Sequence, residues 1–384
     1  MEKIECDWLC ELKKSPIFNM SLSSKELFHS NFIAWVLETY PKQMAEFFSE
    51  KLKLSNVDEI TEIQREKQNI DISFKLGNTV VLIENKVKSI ANIEQLQKYA
   101  KLEAKNFGKE YKDIENVKNI LLSLKKPTIE LDKWEHVSYD TLLDFFKKLK
   151  IDDQYHQSLI DDYVRLVQII KENIINKIDI KKVQLGDLFV KNEENQDSKD
   201  LESLRTIKMH DIFLKGLYED FAFEIKKQLC NEYNVEYTKE PSSNGNISVY
   251  HGFTNSSGLV DIKYRVNDNF YIGIQIQGNQ YRHFVELFDN SKKDVCNLLK
   301  SISDANLWFS FGADIHKDKI YPHESSKKCK LYNQFKGKNS IFKYKYFKID
   351  GIPNDNVIVR VKNDIEHLVK NSEGIKNIYT QVSK

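Results

Sequence analysis

Two carboxylates and an ammonium sit where this sequence has little structural use for them. In the stretch Ile70–Lys86, IDISFKLGNTVVLIENK, Asp71 opens one apolar segment, and Glu84 and Lys86 close another, Val80-Val81-Leu82-Ile83. Side chains alternate along a strand, so Glu84 and Lys86 share a face and Asn85 points to the other. A run this apolar belongs inside a sheet. Charge there is expensive unless it is paired or holds a cation. Two carboxylates suit Mg2+ or Mn2+, hard ions that take oxygen ligands and keep several of their own waters. An ammonium on the same face can orient or deprotonate a water, or neutralise a bound anion. The sequence leaves those roles open. Taken singly, Asp71 reads as a strand-start acid, and Glu84 with Lys86 as an ion pair on an edge strand. Their joint occurrence at the end of an apolar strand points to a site.

The elements that position these residues follow from periodicity. A tight turn at Gly77-Asn78 joins two strands into a hairpin. Upstream, Ser23 or Ser24 caps a helix over about 25–39, with Leu27, Phe28, Phe32, Trp35 and Val36 as its apolar stripe. Glu26 and His29 lie off the centre of that stripe; His29 reads as a half-buried packing residue or hydrogen-bond partner. A second helix spans about 42–53. After Asn56 the period changes to two, and Ile60–Glu66 reads as a strand, in which Glu66 reads either as a further site acid or as a solvated strand residue. Helical spacing returns over 92–107, with Ile93, Leu96, Ala100, Ala104 and Phe107 on the buried side and Gln95 and Tyr99 four apart on an adjoining one. Val117–Leu124 is a buried strand, Val137–Tyr139 a short one, and helices continue to about 175. The expected fold class is α/β in the broad sense, an α+β mixed sheet with helices on both faces.

Asp71 followed by Glu84-x-Lys86 resembles the motif of the PD-(D/E)XK nuclease superfamily. The order helix, three strands, helix, strand resembles its restriction-endonuclease-like αβββαβ core. Gln95-Leu96-x-x-Tyr99 resembles the Gln-x-x-x-Tyr element of an exonuclease-like branch. Glu26–Trp35 and Arg65-Glu66-x4-Asp71 resemble an uncharacterised bacterial group of that superfamily. The proline of the family name is absent, since Ile70 precedes Asp71. The resemblance covers roughly the first 150 residues. It implies a Mg2+- or Mn2+-dependent phosphodiesterase acting on nucleic acid, DNA rather than RNA, in restriction, repair or anti-phage defence. It implies Asp71, Glu84 and Glu26 as metal contacts, Lys86 as the catalytic ammonium, and Gln95 and Tyr99 as residues that shape the site. The competing expectations are a silent nucleic-acid-binding or assembly module, and an effector that a partner or ligand activates.

Composition agrees with a soluble chain. Charged residues are 30% and hydrophobic residues 41% of 384, with a net charge of +1. There is no apolar run of membrane-spanning length, and the N-terminal stretch lacks a secretory leader's apolar segment, so the expected location is cytoplasmic. Five cysteines are too few and scattered for a disulfide framework; Cys6 and Cys10 read as packing residues on one helix face. The polar run 191–200 reads as a linker between a nuclease domain at 1–190 and an α+β domain at 201–384. In the latter, 204–230 reads as helical, 241–246 as a loop, 258–277 as a hairpin, Ile341–Ile349 as a strand and 361–370 as a closing helix. Val260-Asp261-Ile262 and Ile274-Gln275-Ile276-Gln277 parallel the first hairpin, so the second half reads either as a degenerate nuclease-like copy or as an unrelated hairpin. Residues 327–348 hold eight lysines and no acid, interleaved with aromatics. They could track phosphates and stack on bases, or form a lysine-protected edge strand. A homodimer or a partner protein is compatible with this organisation.

Overall fold

The computed structural model describes residues 7–22, 24, 26–55, 59–92, 95–100, 116–129, 131–189, 199–242, 246–254, 256–288, 295–321, 333–336 and 340–382. The chain forms two compact units, one of Met1–Ile178 with Thr206–Gly216, the other of Asp179–Arg205 with Leu217–Lys384. Residues 179–189 therefore go with the second unit, where the domain reading 1–190 has them in the first. Most of the expected linker, 191–198, lies outside the described residues; Lys199–Thr206 is helical.

The first unit opens with α1 (Asp7–Lys14) and α2 (Pro16–Ser21), separated at Ser15, whose hydroxyl caps α2 by accepting from the Phe18 N–H at 3.1 Å. Then come α3 (Leu27–Thr39) and α4 (Pro41–Leu52). Ser24 Oγ accepts from the Phe28 N–H; the alternative cap Ser23 lies outside the described residues. The strands β1 (Ile60–Lys67), β2 (Ile70–Leu76) and β3 (Thr79–Lys86) form an antiparallel meander. Gln68 and Asn69, both at positive φ, make its first turn, as a two-residue type I′ connection requires. Gly77, at φ 60°, leads the second. A helical segment, α5, covers 95–100; Ile93, Ala104 and Phe107 of the expected helix lie outside the described residues. The chain returns as β4 (Asn116–Ser123), parallel to β3, and then β5 (Glu135–Ser138), parallel to β4. Sheet order is β1-β2-β3-β4-β5. α6 (Tyr139–Phe146) and α7 (Gln154–Asn173) complete the unit.

Strand β3 is buried along its whole length. One face, that of Asn85, Val81 and Phe74, packs against α3, α4, α6 and α7: Phe48 lies 5.0 Å from Phe74, and Phe47 4.9 Å from Phe145. The face of Asp71, Glu84 and Lys86 meets α5. The stripe expected for α3 is out of phase. Leu27 is exposed, and the buried residues are His29, Ser30, Ile33, Ala34, Val36 and Leu37. This helix is apolar nearly all round, so polar partners rather than periodicity decide which side turns inward.

In the second unit, α8 (Lys199–Thr206) and α9 (His210–Leu229) replace the single helix expected over 204–230; α9 begins within the part assigned to the first unit. A seven-stranded sheet follows, built from β6 (Val235–Glu236), β7 (Ile247–Thr254), β8 (Ser257–Asn267), β9 (Phe270–Gln277), β10 (Gln280–Leu287), β11 (Asn333–Lys336) and β12 (Ile341–Lys348), in the order β11-β12-β10-β9-β8-β7-β6. The helices α10 (Val295–Asp304), α11 (Asn354–Lys370) and α12 (Ser372–Val382) accompany it. The expected hairpin is present as β8 and β9, with Asp261 opposite Gln275. The reading as a nuclease-like copy is corrected. Beside β3 stands parallel β4, reached by a crossover. Beside β9 stands antiparallel β10, reached through the two-residue turn Gly278-Asn279, and such a turn can only reverse the chain. Of the lysine-rich segment, β11 stands at the end of the described sheet, as the edge-strand reading expects, whereas β12 lies inside it and pairs with both β10 and β11; its parts 327–332 and 337–339 lie outside the described residues. Cys10 is exposed rather than packed, and Cys6 is not among the described residues.

Candidate active site

Register places the sequence-predicted residues in rows across the first sheet. Ile72 lies opposite Ile83, and Arg65 opposite Ile72. Continuing those pairings, Glu66, Asp71 and Glu84 fall in one row on one face. The parallel strands extend it, with Glu84 opposite Leu121 and Leu121 opposite His136. The next row holds Lys86 and Ser123.

Glu84 is 2% exposed and Lys86 7%, yet both carry charge-bearing groups. They meet directly: Lys86 Nζ lies 2.6 Å from Glu84 Oε1. Gln95 Nε2 donates to the same Oε1 and to the Tyr99 hydroxyl, each at 2.9 Å. The Asn92 side chain accepts from the Gln95 N–H and starts α5 at the point where Gln95 faces the sheet. Glu84 Oε2 is buried and has no hydrogen-bond partner among the described residues. Asp71 Oδ2 accepts from the Asn85 N–H at 2.6 Å.

The electrostatics follow from crowding. Burial, and then the neighbouring Glu84, push the Asp71 carboxyl up to about 7; the Asn85 N–H and Lys86 oppose this. Burial also raises Glu84, with Glu26 and Glu66 adding to it, and outweighs the opposing Lys86 contact. Burial alone would lower Lys86, but Glu84, Glu26 and Asp71 raise it on balance, so it remains an ammonium. The pair thus has a firmly charged lysine beside a carboxylate that burial disfavours.

Glu26 is placed differently from its expected role as a metal contact. Its Oε2 accepts from the Val87 N–H at 2.8 Å and the Lys88 N–H at 3.2 Å; its Oε1 accepts from Ser89 Oγ at 2.5 Å and the Lys88 N–H at 3.2 Å. A carboxylate so occupied clamps the backbone that follows Lys86. Lys88 turns away and donates to the Ser21 and Ser24 carbonyls at 2.6 and 3.0 Å. Burial, and then Lys208, lower it to about 8, against Glu26.

Behind the site runs a buried polar chain that sequence reasoning missed apart from His29. The Tyr139 hydroxyl donates to Asn85 Oδ1 at 2.7 Å, and Asn85 Nδ2 donates to Ser30 Oγ at 3.1 Å. Tyr139 and Tyr163 are hydrogen-bonded to each other, and His29 Nδ1 lies 3.2 Å from the Tyr163 hydroxyl. His29 is fully buried, and burial, then Lys88, lower it to about 3. The available signal was Asn85, a polar residue on the core side of an apolar strand. Ser123 and His136 were missed as well. No sequence spacing links them to Lys86; parallel pairing does.

No cluster of three or more His, Cys, Asp or Glu side chains able to hold a metal occurs among the described residues. Two carboxylates in one row nevertheless fit a hard divalent cation that keeps its waters. The unpartnered Glu84 Oε2 and the upward push on both Asp71 and Glu84 are the features a cation beside them would offset. No helix among the described residues is long and apolar enough to cross a membrane.

Comparison with known proteins agrees with this geometry. Residues 16–157 match the model of a family described as the PD-(D/E)XK nuclease superfamily. No curated protein and no solved structure matches the chain. The matched span, residues 16–157, contains Glu26, Asp71, Glu84, Lys86, Gln95 and Tyr99, so over that span the chain is similar to the PD-(D/E)XK nuclease superfamily.

Proposed function

We propose that the first unit is a Mg2+- or Mn2+-dependent nuclease that hydrolyses phosphodiester bonds in nucleic acid, with DNA as its substrate. The observation that carries this reading is the buried group of Asp71, Glu84 and Lys86, in which Glu84 Oε2 has no hydrogen-bond partner among the described residues. Asp71 and Glu84 would hold the divalent ion, which when bound supplies an activated water and offsets charge on the phosphate. Lys86 acts as the cationic partner of the scissile phosphate rather than as a base, because its neighbours hold the proton on Nζ. Gln95 fixes the rotamer of Glu84 through Oε1 and leaves Oε2 directed elsewhere. Tyr99 holds Gln95 in turn. Glu26 shapes the turn after Lys86 through backbone N–H groups.

Incubating the full-length protein with plasmid, linear and single-stranded DNA, and with RNA, with and without Mg2+ or Mn2+, tests this directly. Cleavage that needs the ion and is lost on Glu84→Gln supports the reading. DNA binding without cleavage under any divalent ion would favour a silent binding module. The presence of all three charged groups argues against that module, since binding alone has no use for a buried carboxylate pair.

A further inference from the structure

One polar pair on the catalytic face has no part in the chemistry above. Ser123 ends β4 opposite Lys86, and His136 on β5 lies opposite Leu121, itself opposite Glu84. In-register neighbours in parallel strands share a face, so both side chains stand on the side of Asp71, Glu84 and Lys86. Ser123 Oγ donates to the Lys125 carbonyl at 2.8 Å and lies 2.9 Å from His136 Nε2. A hydroxyl carries one proton. With that proton given to Lys125, Ser123 Oγ can only accept from the ring, so the imidazole hydrogen sits on Nε2. Nδ1 then holds a lone pair and has no partner among the described residues. The ring is half-buried, and burial, then the exposed Lys126, hold it below the usual histidine range. The other charged side chains that the register puts on this face are Lys86, Glu84, Asp71, Glu66 and Lys75.

We propose that Ser123 and His136, with Lys126 beside them, form a second phosphate subsite, which holds the backbone of the nucleic-acid substrate about one or two nucleotide repeats from the scissile phosphate. This inference rests on the nuclease reading. Strand spacing puts β5 on the order of 10 Å from β3, so a backbone crossing the sheet from Lys86 meets His136 next. An arriving phosphate offsets Lys126, and Nδ1 takes a proton from solvent. The imidazolium then donates through Nδ1 to a non-bridging oxygen and through Nε2 to Ser123 Oγ. The serine thus sets the ring's tautomer and direction, and the histidine makes the contact.

The test is binding of a short fluorescent oligonucleotide to the full-length protein in EDTA, which withholds the divalent ion. A series of ligands places a neutral methylphosphonate at each phosphate in turn. His136→Ala is expected to weaken binding about tenfold, the effect of one charged hydrogen bond. One methylphosphonate position should weaken wild-type binding similarly and have no further effect on His136→Ala. His136→Gln, which keeps a donor toward Ser123 but cannot become a cation, guards against a folding defect and should behave like His136→Ala. With Mg2+, either variant should raise KM and leave kcat nearly unchanged. If the variants bind every ligand as the wild type does while Mg2+-dependent cleavage persists, the subsite is wrong and the nuclease reading stands. If the wild type neither binds nor cleaves any oligonucleotide, the nuclease reading fails and takes the subsite with it.

Discussion

Asp71 carries the sharpest expectation at the scale of single residues. Its carboxyl sits at about 7 in the folded protein, against about 4 in an unfolded chain. Below pH 4 both states hold the proton. Between about pH 4 and 7 the folded protein keeps a proton that the unfolded chain has released, so stability falls as pH rises through that window. Glu84 moves in the same sense. Without divalent ions, denaturant melts should therefore lose stability on the order of 2 kcal/mol from pH 4 to pH 8. Asp71→Asn should flatten that slope while keeping an acceptor for the Asn85 N–H. Adding Mg2+ at pH 8 should restore stability to the wild type and not to Asp71→Asn; equal restoration in both would place the ion elsewhere. Residue types and spacing make Asp71, Glu84, Lys86, Gln95 and Tyr99 legible in the sequence, because a carboxylate at the end of an apolar strand needs a reason. Glu26 is legible as a nearby acid but not in its role. Whether a carboxylate faces an ion or backbone N–H groups depends on where the chain turns after Lys86.

At the scale of elements, β3 is held by what lies behind it. Asn85 ties the strand to α3 through Ser30 and to α6 through Tyr139, and Glu26 ties the following turn to the start of α3. Tyr139→Phe leaves Asn85 Oδ1 buried without that donor and should cost about 1–3 kcal/mol in denaturant melts. Its effect on cleavage should exceed that of an equally destabilising change far from β3, such as Leu166→Ala in α7; equal effects would mean the network supports the fold alone. Glu26→Gln replaces a double acceptor with an amide that must turn one NH2 toward N–H donors. Cleavage should fall roughly tenfold or more, with Mg2+-induced stabilisation largely kept; loss of that stabilisation would return Glu26 to the metal contacts. The strand meander and its crossover are readable because the period switches from 3.6 to 2 at clear turn residues. The buried face of α3 is not, since Phe28, Phe32 and Trp35 compete with Ile33, Ala34 and Leu37 for the inward side. The polar demand of Asn85, a long-range contact, decides between them.

Across the whole molecule, the two units differ in how much their sequences disclose. The second hairpin of polar strand ends, Asp261 and Gln275, looks like an echo of the first. In the fold it is one stretch of an antiparallel meander, with Gln275 Nε2 bonded to Asp261 Oδ1 at 2.8 Å and Lys263 paired with Glu286 at 2.8 Å. The next strand, QYRHFVEL, alternates so that Tyr281, His283 and Val285 face the core, a pattern hidden by its charged and aromatic content. Asn354 is the buried tie of this unit. It donates to the Ile180 and Val183 carbonyls and accepts from the Leu185 N–H. Asn354→Ala should destabilise the second unit by roughly 2–4 kcal/mol, while Mg2+ should still stabilise the first; loss of both responses would mean that the units unfold as one. The most direct measurement of the central claim is cleavage of labelled DNA by the full-length chain with Mg2+, compared with Asp71→Ala and Lys86→Ala. Ion-dependent cleavage that falls at least about a hundredfold in each variant is the expected result. Cleavage surviving unchanged in both would contradict it.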